Sequence, residues 1–148
     1  MKNFALITFC LLHFTSCNQD DDFSSANVPS IVLSTFQTNF SNAKDLDWEI
    51  AGQNYEADFE IDNIDYSALI NEKGELLKHK HDNEFFNLSQ ALQDTLIHKY
   101  TRNNIDDVET LVVNKDTYYQ IEIEQSIIDL EKVYDKNGNE SETISFWD

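Results

Sequence analysis

His79 and His81 are the residues whose spacing best suits metal binding. They stand two apart in "LLKHKHD" (Leu76–Asp82). On an extended strand residues two apart share a face, so both imidazoles can reach one ion. Asp82 and Glu84 follow closely. A metal centre takes three or four convergent ligands with outer support, and only a pair is visible. The pair is therefore read as solvent-facing or on a sheet edge, and no metal site is expected. "DKNGNESE" from Asp135 alternates oxygen-bearing side chains as a calcium loop does. Gly138 comes too early for the EF-hand pattern, and a Gly-containing hairpin turn accounts for the segment. With 28 Asp+Glu, carboxylate pairs arise by chance, and none stands out as an acid/base couple. The chain holds no G-x-S-x-G, phosphate-binding glycine loop or H-E-x-x-H, and no cysteine after Cys17. His98 falls off the apolar stripe of its helix and is expected to be exposed. No catalytic residue and no cofactor are expected. An enzyme of unrecognised type stays open as an alternative.

Charge bounds the partners. The 28 acids face 10 Lys+Arg, a net charge of −18. Such a field repels nucleic acid and anionic lipid, and attracts cations and basic protein patches. Nucleic acid is excluded as a partner. The 148 residues, 41% hydrophobic and 12% aromatic, are enough for one ordinary domain or two small units sharing a core.

Both cysteines, Cys10 and Cys17, lie at the N-terminus. No disulfide framework or thiolate metal site exists in the body. Lys2 precedes an apolar run, Phe4–Phe14, that is too short to span a bilayer and suits the core of a secretory signal. Thr15 and Ser16 then precede Cys17. This "FTSC" resembles the lipobox of bacterial lipoproteins, which implies an acylated Cys17 as the mature N-terminus and anchoring in a lipid bilayer through its acyl chains. Phe14 stands where that motif usually has Leu, a relaxation found in Bacteroidetes-type bacteria. A plain signal peptide is the alternative. Residues 1–16 are read as signal peptide and 17–27 as an acidic tether. Asp20–Asp22 resemble the export signal of surface lipoproteins. The expected location is the outer membrane or cell surface of a Gram-negative envelope, with a periplasm-facing anchor as the alternative.

The body reads as a helix followed by four strands, twice, with unit one over 28–86 and unit two over 87–148. In "VPSIVLSTFQTNFSNA" Val28, Ile31, Val32, Thr35, Phe36 and Phe40 form one apolar stripe. Leu88, Ala91, Leu92, Thr95, Leu96 and Tyr100 repeat it 60 residues on, with Ser89 as N-cap. "YEADFEI" (Tyr55–Ile61) and "YQIEIE" (Tyr119–Glu124) alternate apolar and polar residues at an offset of 64, as half-buried antiparallel strands do. Gly74 and Gly138 mark equivalent turns at the same offset. The step from 60 to 64 implies an insertion around Asn114–Thr117.

These units, with "VP…F…F…AKDLDWE…YEADF" and a "KG" hairpin, resemble the PepSY-like lipoproteins, also described as similar to β-lactamase inhibitor protein. The resemblance covers roughly Val28–Trp147. It implies an α+β fold, two tandem repeats each with one helix on a four-stranded antiparallel sheet. It also implies a small exported protein without a catalytic motif, whose open sheet face binds another protein. Val108 departs from the pattern where unit one has Trp48.

Alternation assigns faces. Leu46, Trp48, Ile50, Tyr55, Ala57, Phe59, Ile61, Ile64, Tyr66, Ala68 and Ile70 point toward the helix. The other face carries Asp45, Asp47, Glu49, Glu56, Asp58, Glu60, Asp65, Glu122, Glu124, Asp129 and Glu131 as the candidate binding face. Lys132 falls on the nominal inner face. The resemblance, placed on this acidic face, implies an inhibitor-like or other protein–protein interaction module for a basic envelope or extracellular partner. A divalent-cation-binding protein of the envelope is a further alternative. The anchor reading has a direct test. Cys17→Ala is expected to move the protein from the membrane fraction to the soluble fraction, and retention on the membrane contradicts acylation at that residue.

Overall fold

The computed structural model describes residues 27–148. The signal, Cys17 and all but the last residue of the tether lie outside them. Helix α1 (Ser30–Asn39) is followed by β1 (Lys44–Ala51), β2 (Asn54–Ile61), β3 (Ile64–Asn71) and β4 (Leu76–Asp82). Helix α2 (Gln90–Lys99) precedes β5 (Ile105–Val113), β6 (Asp116–Ile123) and β7 (Leu130–Tyr134). All seven strands form one antiparallel sheet in chain order. The expected pair of four-stranded sheets is therefore corrected. Pairing of β4 with β5, from Lys78 opposite Val113 to Asp82 opposite Glu109, joins the two halves.

Both helices lie on one face and each covers its own cluster. Under α1, Val32 and Phe36 pack with Trp48, Ala57, Phe59, Ala68 and Ile70. Phe36 is the hub, with ring centroids 5.3 Å from Trp48 and 4.9 Å from Phe59, both edge-on as aromatic quadrupoles favour. Under α2, Leu92 and Leu96 pack with Ile105, Val108, Ile121, Ile123 and Tyr134. The expected inner-face residues are largely in place, although Leu46, Ile50 and Ile64 are exposed near the sheet margins. Ser89 caps α2, its hydroxyl accepting from the Leu92 N–H at 3.2 Å. Pro29 stands just before α1, where its missing N–H is not needed.

The four-residue step is an extension of a hairpin, which corrects the expected loop insertion. Trp48 pairs with Ala57 in β1–β2, and Val108 pairs with Ile121 in β5–β6. Between those pairs the second hairpin carries two more residues on each arm. Its turn remains two residues, Asn114 and Lys115, at φ 51° and 74°. Both are left-handed, the geometry of a tight hairpin turn.

The expected eighth strand is absent among the described residues. After Tyr134 there is one isolated bridge, Tyr134 to Glu140, and then an irregular segment. The Asp135 turn forms as a turn. The carboxylate accepts from the backbone N–H groups of Asn137 and Asn139 at 2.8 and 2.9 Å and from both side-chain amides. Those bonds hold its pKa down at about 2 and occupy the oxygens a calcium ion would need. Asn71 does the same work in the β3–β4 turn, accepting from Lys73 and Glu75.

Each of these turns presses a glycine against a helix. Gly74 and Gly138 have φ of 79° and 84°. A Cβ on Gly138 would collide with the Thr95 hydroxyl and lie 3.0 Å from the Ala91 carbonyl; one on Gly74 would lie 2.6 Å from Ile31 Cγ1. Thr35 also donates to the Gly74 carbonyl at 2.7 Å, which explains a hydroxyl in an otherwise apolar stripe. Gly138→Ala therefore combines left-handed strain with overpacking. It is expected to cost about 2–4 kcal/mol, read as a lowered urea midpoint at unchanged m-value.

Candidate functional site

The sheet face away from the helices divides into an acidic half and a covered half. In the first half Asp47 stands opposite Asp58, Glu49 opposite Glu56, and Glu60 opposite Asp65. Like charges directly opposite one another destabilise a sheet. Ser67 offsets a little of this by donating to Asp58 at 2.7 Å. Burial raises the Glu56 carboxyl above its ordinary value, as does Asp58 beside it, while Lys78 opposes them. In the second half Glu122 faces Glu131 in the same way.

Three predicted members lie outside the ladder. Asp45 sits in a bulge at φ 50°, between the Lys44 and Asp47 pairs. Glu124 and Asp129 fall in the loop between β6 and β7, where Asp129 accepts from the Gln125 N–H at 2.8 Å. The bulge has its own logic. Asp47 accepts from the following Trp48 N–H, and Asp107 from Val108, each at 2.8 Å.

The expected open face is open only in part. Across one row the paired residues run Asp47, Asp58, Ser67, Lys80, Leu111, Tyr118, so acid gives way to base and then to apolar side chains. Over this second region lies the C-terminal segment. Trp147 is 9% exposed, and beneath this face Leu111, Gln120 and Val133 are buried outside both helix-covered clusters. Gln120 grips the Trp147 backbone from both sides: its Nε2 donates to the carbonyl at 3.0 Å and its Oε1 accepts from the N–H at 2.8 Å. Lys80 donates to the same carbonyl at 2.9 Å, and Lys78 stands 4.0 Å above the indole. Glu109 completes the network, 3.0 Å from the Lys80 ammonium and accepting from Gln120 at 2.6 Å. Lys80 and Glu109 thus share a largely buried ion pair, with Lys80 also bonded to Trp147 and Glu109 to Gln120. Alternation places Gln120 on the outer face and Lys78 and Lys80 together on one strand face, but it does not single out Trp147 or Glu109. Their available signal was Leu111 and Val133, apolar residues at outward positions that need a cover.

The histidines occupy the opposite face, which corrects the solvent-facing or edge placement. β4 is the middle strand of seven. His79 pairs with Ala68 and Val112, and His81 with Tyr66 and Thr110. The His79 ring meets Phe40 edge-on at 5.6 Å, and His81 stacks on Tyr66 at 4.8 Å. Clefts of about 480 Å³ flank them, one reaching His79 beside Leu76 and Val112, the other His81 beside Ile64 and Asp107. Both Nδ1 atoms are buried and find no hydrogen-bond partner among the described residues. Among the described residues no group of three or more potential metal ligands converges there. Lys132 lies on the helix side, opposite Ile121, and reaches Glu140 at 2.7 Å. His98 is exposed as expected.

With this geometry in view, the comparisons can be placed. No protein-family model matches the sequence, and no curated protein matches it. Solved structures do. A BLIP-like protein from Bacteroides fragilis superposes with a TM-score of 0.68 at 21% identity, over 82% of this chain and 89% of that one. The chain shares the BLIP-like fold. A DUF2874 family protein from Bacteroides ovatus gives 0.67 at 19% identity, over 76% and 83% of the two chains. A candidate periplasmic protein from Bacteroides eggerthii gives 0.71 at 13% identity, over 76% and 85%. In this BLIP-like architecture both helices take the same face of the sheet.

Burial lowers the pKa of both histidines, and for His79 the neighbouring His81 adds to the effect. Glu109 opposes it at His81. A group with a depressed folded pKa and a basic neutral form is stabilising while neutral. That stability is full above the unfolded value near 6.5 and is lost as pH falls through the lower folded values. The thermal midpoint is therefore expected to drop as pH falls below the ordinary histidine value of 6.5, and the drop to flatten in His79→Gln/His81→Gln. An identical slope in that variant rules the pair out as the cause.

Proposed function

We propose that the chain is an exported, lipid-anchored binding module. Its outer β1–β3 face docks a basic protein partner, and it carries no catalytic role. One observation carries this reading. Three acid–acid pairs, Asp47–Asp58, Glu49–Glu56 and Glu60–Asp65, stand side by side on a part of the sheet face that no helix or terminal segment among the described residues covers. A merely solvated surface does not require like charges in register, each of which costs about 0.2–1 kcal/mol. A basic counterpart relieves all three pairs at once and gains from long-range attraction during encounter. An inhibitor-like role agrees with the described names of the structural neighbours, and an envelope location agrees with the one described as a candidate periplasmic protein. The matching turns, glycines and bulge carboxylates of the two halves favour origin by duplication.

Two measurements test this. Glu56→Gln is expected to raise stability at neutral pH by about 0.2–1 kcal/mol at low salt. Glu56 has a raised folded pKa, so the carboxyl is least costly when protonated. The gain should accordingly shrink with added salt and vanish below the ordinary value of 4.5. Replacing Glu56, Asp58 and Glu60 together with Gln is expected to abolish partner capture from an envelope extract. Unchanged capture sinks the acidic-face reading. Heat on titration with calcium or zinc, absent from the triple variant, would favour cation binding instead.

A further inference from the structure

We propose that the outer face of β4–β6 is a peptide-binding site, and that the C-terminal segment is its resident, detachable ligand. The site takes an extended peptide whose aromatic residue lies under Lys78 while its backbone amide and carbonyl pair with Gln120. This deepens the binding-module reading by naming a second contact region and its ligand chemistry.

The geometry of Trp147 carries the argument. A covering segment held only by apolar burial needs no polar floor. Here the floor is polar and specific. One side-chain amide, 1% exposed, meets both the N–H and the C=O of a single residue, as a neighbouring strand would. Lys80 takes the second lone pair of that carbonyl, and the Lys80–Glu109 pair fixes both clamp residues from beneath. These contacts read peptide backbone and an aromatic ring, and neither is peculiar to this tail.

The tail is also built to let go. Beyond the Tyr134–Glu140 bridge, Glu142, Thr143 and Ser145 are exposed, and Ser141 and Ile144 are only partly covered. Trp147 is the one buried residue of the last eight. When it leaves, Gln120, Lys80, Lys78 and Glu109 regain water, which offsets part of the cost of exposing Leu111, Val133 and the indole itself. A partner's segment is the fitting occupant. Two copies of a chain at −18 repel one another, which disfavours exchange of tails between copies. The site adjoins the acidic half, because Lys78 pairs with Leu69 and Lys80 with Ser67 on β3. A partner on the acidic half can thus place an extended arm here.

The test uses a fluorescent synthetic peptide with the sequence of residues 141–148 and the full chain carrying Trp147→Ala. That chain is expected to bind the peptide saturably. The unaltered chain should bind at least tenfold more weakly because its own tail competes. Gln120→Leu added to Trp147→Ala should abolish binding, and a peptide with Ala in place of its Trp should not bind. No saturable binding to a cooperatively folded Trp147→Ala chain overturns the proposal, as does equal binding by the unaltered chain. Hydrogen exchange on the unaltered chain gives an answer that needs no variant to fold. The Trp147 amide should be at least tenfold less protected than that of Ile121, and equal protection means the tail opens only with global unfolding and overturns detachment. A concentration-dependent dimer of the unaltered chain, lost in Trp147→Ala, would assign the site to a second copy and overturn the choice of occupant. The Gln triple variant of the acidic half should bind the peptide normally, so failure of one reading is separable from failure of the other.

Discussion

The pairing of β4 with β5 is the constraint on which the rest depends. It makes one sheet from two helix-covered halves. Because side chains alternate across a strand, it sends Lys78 and Lys80 to one side and His79 and His81 to the other. The lysines can then meet Glu109 and Gln120 of the second half. The histidines fall at the seam between the Phe36 and Leu92 clusters. A break at this ladder would leave a four-stranded and a three-stranded sheet, each with a newly exposed edge, and would dissolve the clamp that spans β4, β5 and β6.

The two faces obey different rules. On the helix face apolar burial dominates, and partial desolvation favours the neutral form of the histidines. On the outer face charge dominates, and its distribution is uneven. Acids crowd β1–β3, where Ser67 and Lys78 offset only part of their repulsion. From β4 onward bases and apolar residues appear, and the chain covers them with its own terminus. The same protein therefore presents a charged surface that gains from being met, and beside it a clamp that is already met. An acidic titration acts on both faces in opposite senses: protonating Glu56 relieves repulsion, while protonating the histidines places charge in half-buried positions.

Small features hold this arrangement in register. The paired left-handed residues at Asp62–Asn63 and Asn114–Lys115 close tight hairpins. The bulge carboxylates Asp47 and Asp107 cap the chain just before Trp48 and Val108, the residues that enter the two cores. The glycine turns dock each half's last strand onto its own helix. None of these relies on a long-range charge, so the fold tolerates a repulsive outer face.

Much of this was legible in the residues themselves. The stripes at three- and four-residue spacing determined both helices, because only that spacing gathers apolar side chains on one helical face. Strict alternation in Tyr55–Ile61 and Tyr119–Ile123 determined the faces, because the period of a strand is two. Local oxygen-rich turns at Asn71 and Asp135 were likewise local matters. What the tertiary structure alone decided was how the halves combine and what covers them. Nothing in Leu76–Asp82 or Ile105–Val113 says that these strands pair with each other, since backbone hydrogen bonding is the same for any partner. The alternation of His79 and His81 gave their common face but not their place at the middle of the sheet. "SETISFWD" follows a turn like that of the first half, yet its chain leaves the sheet and crosses it. That outcome rests on Gln120, Lys80 and Glu109, brought together from three strands around one peptide unit, and no spacing within the sequence records such a meeting.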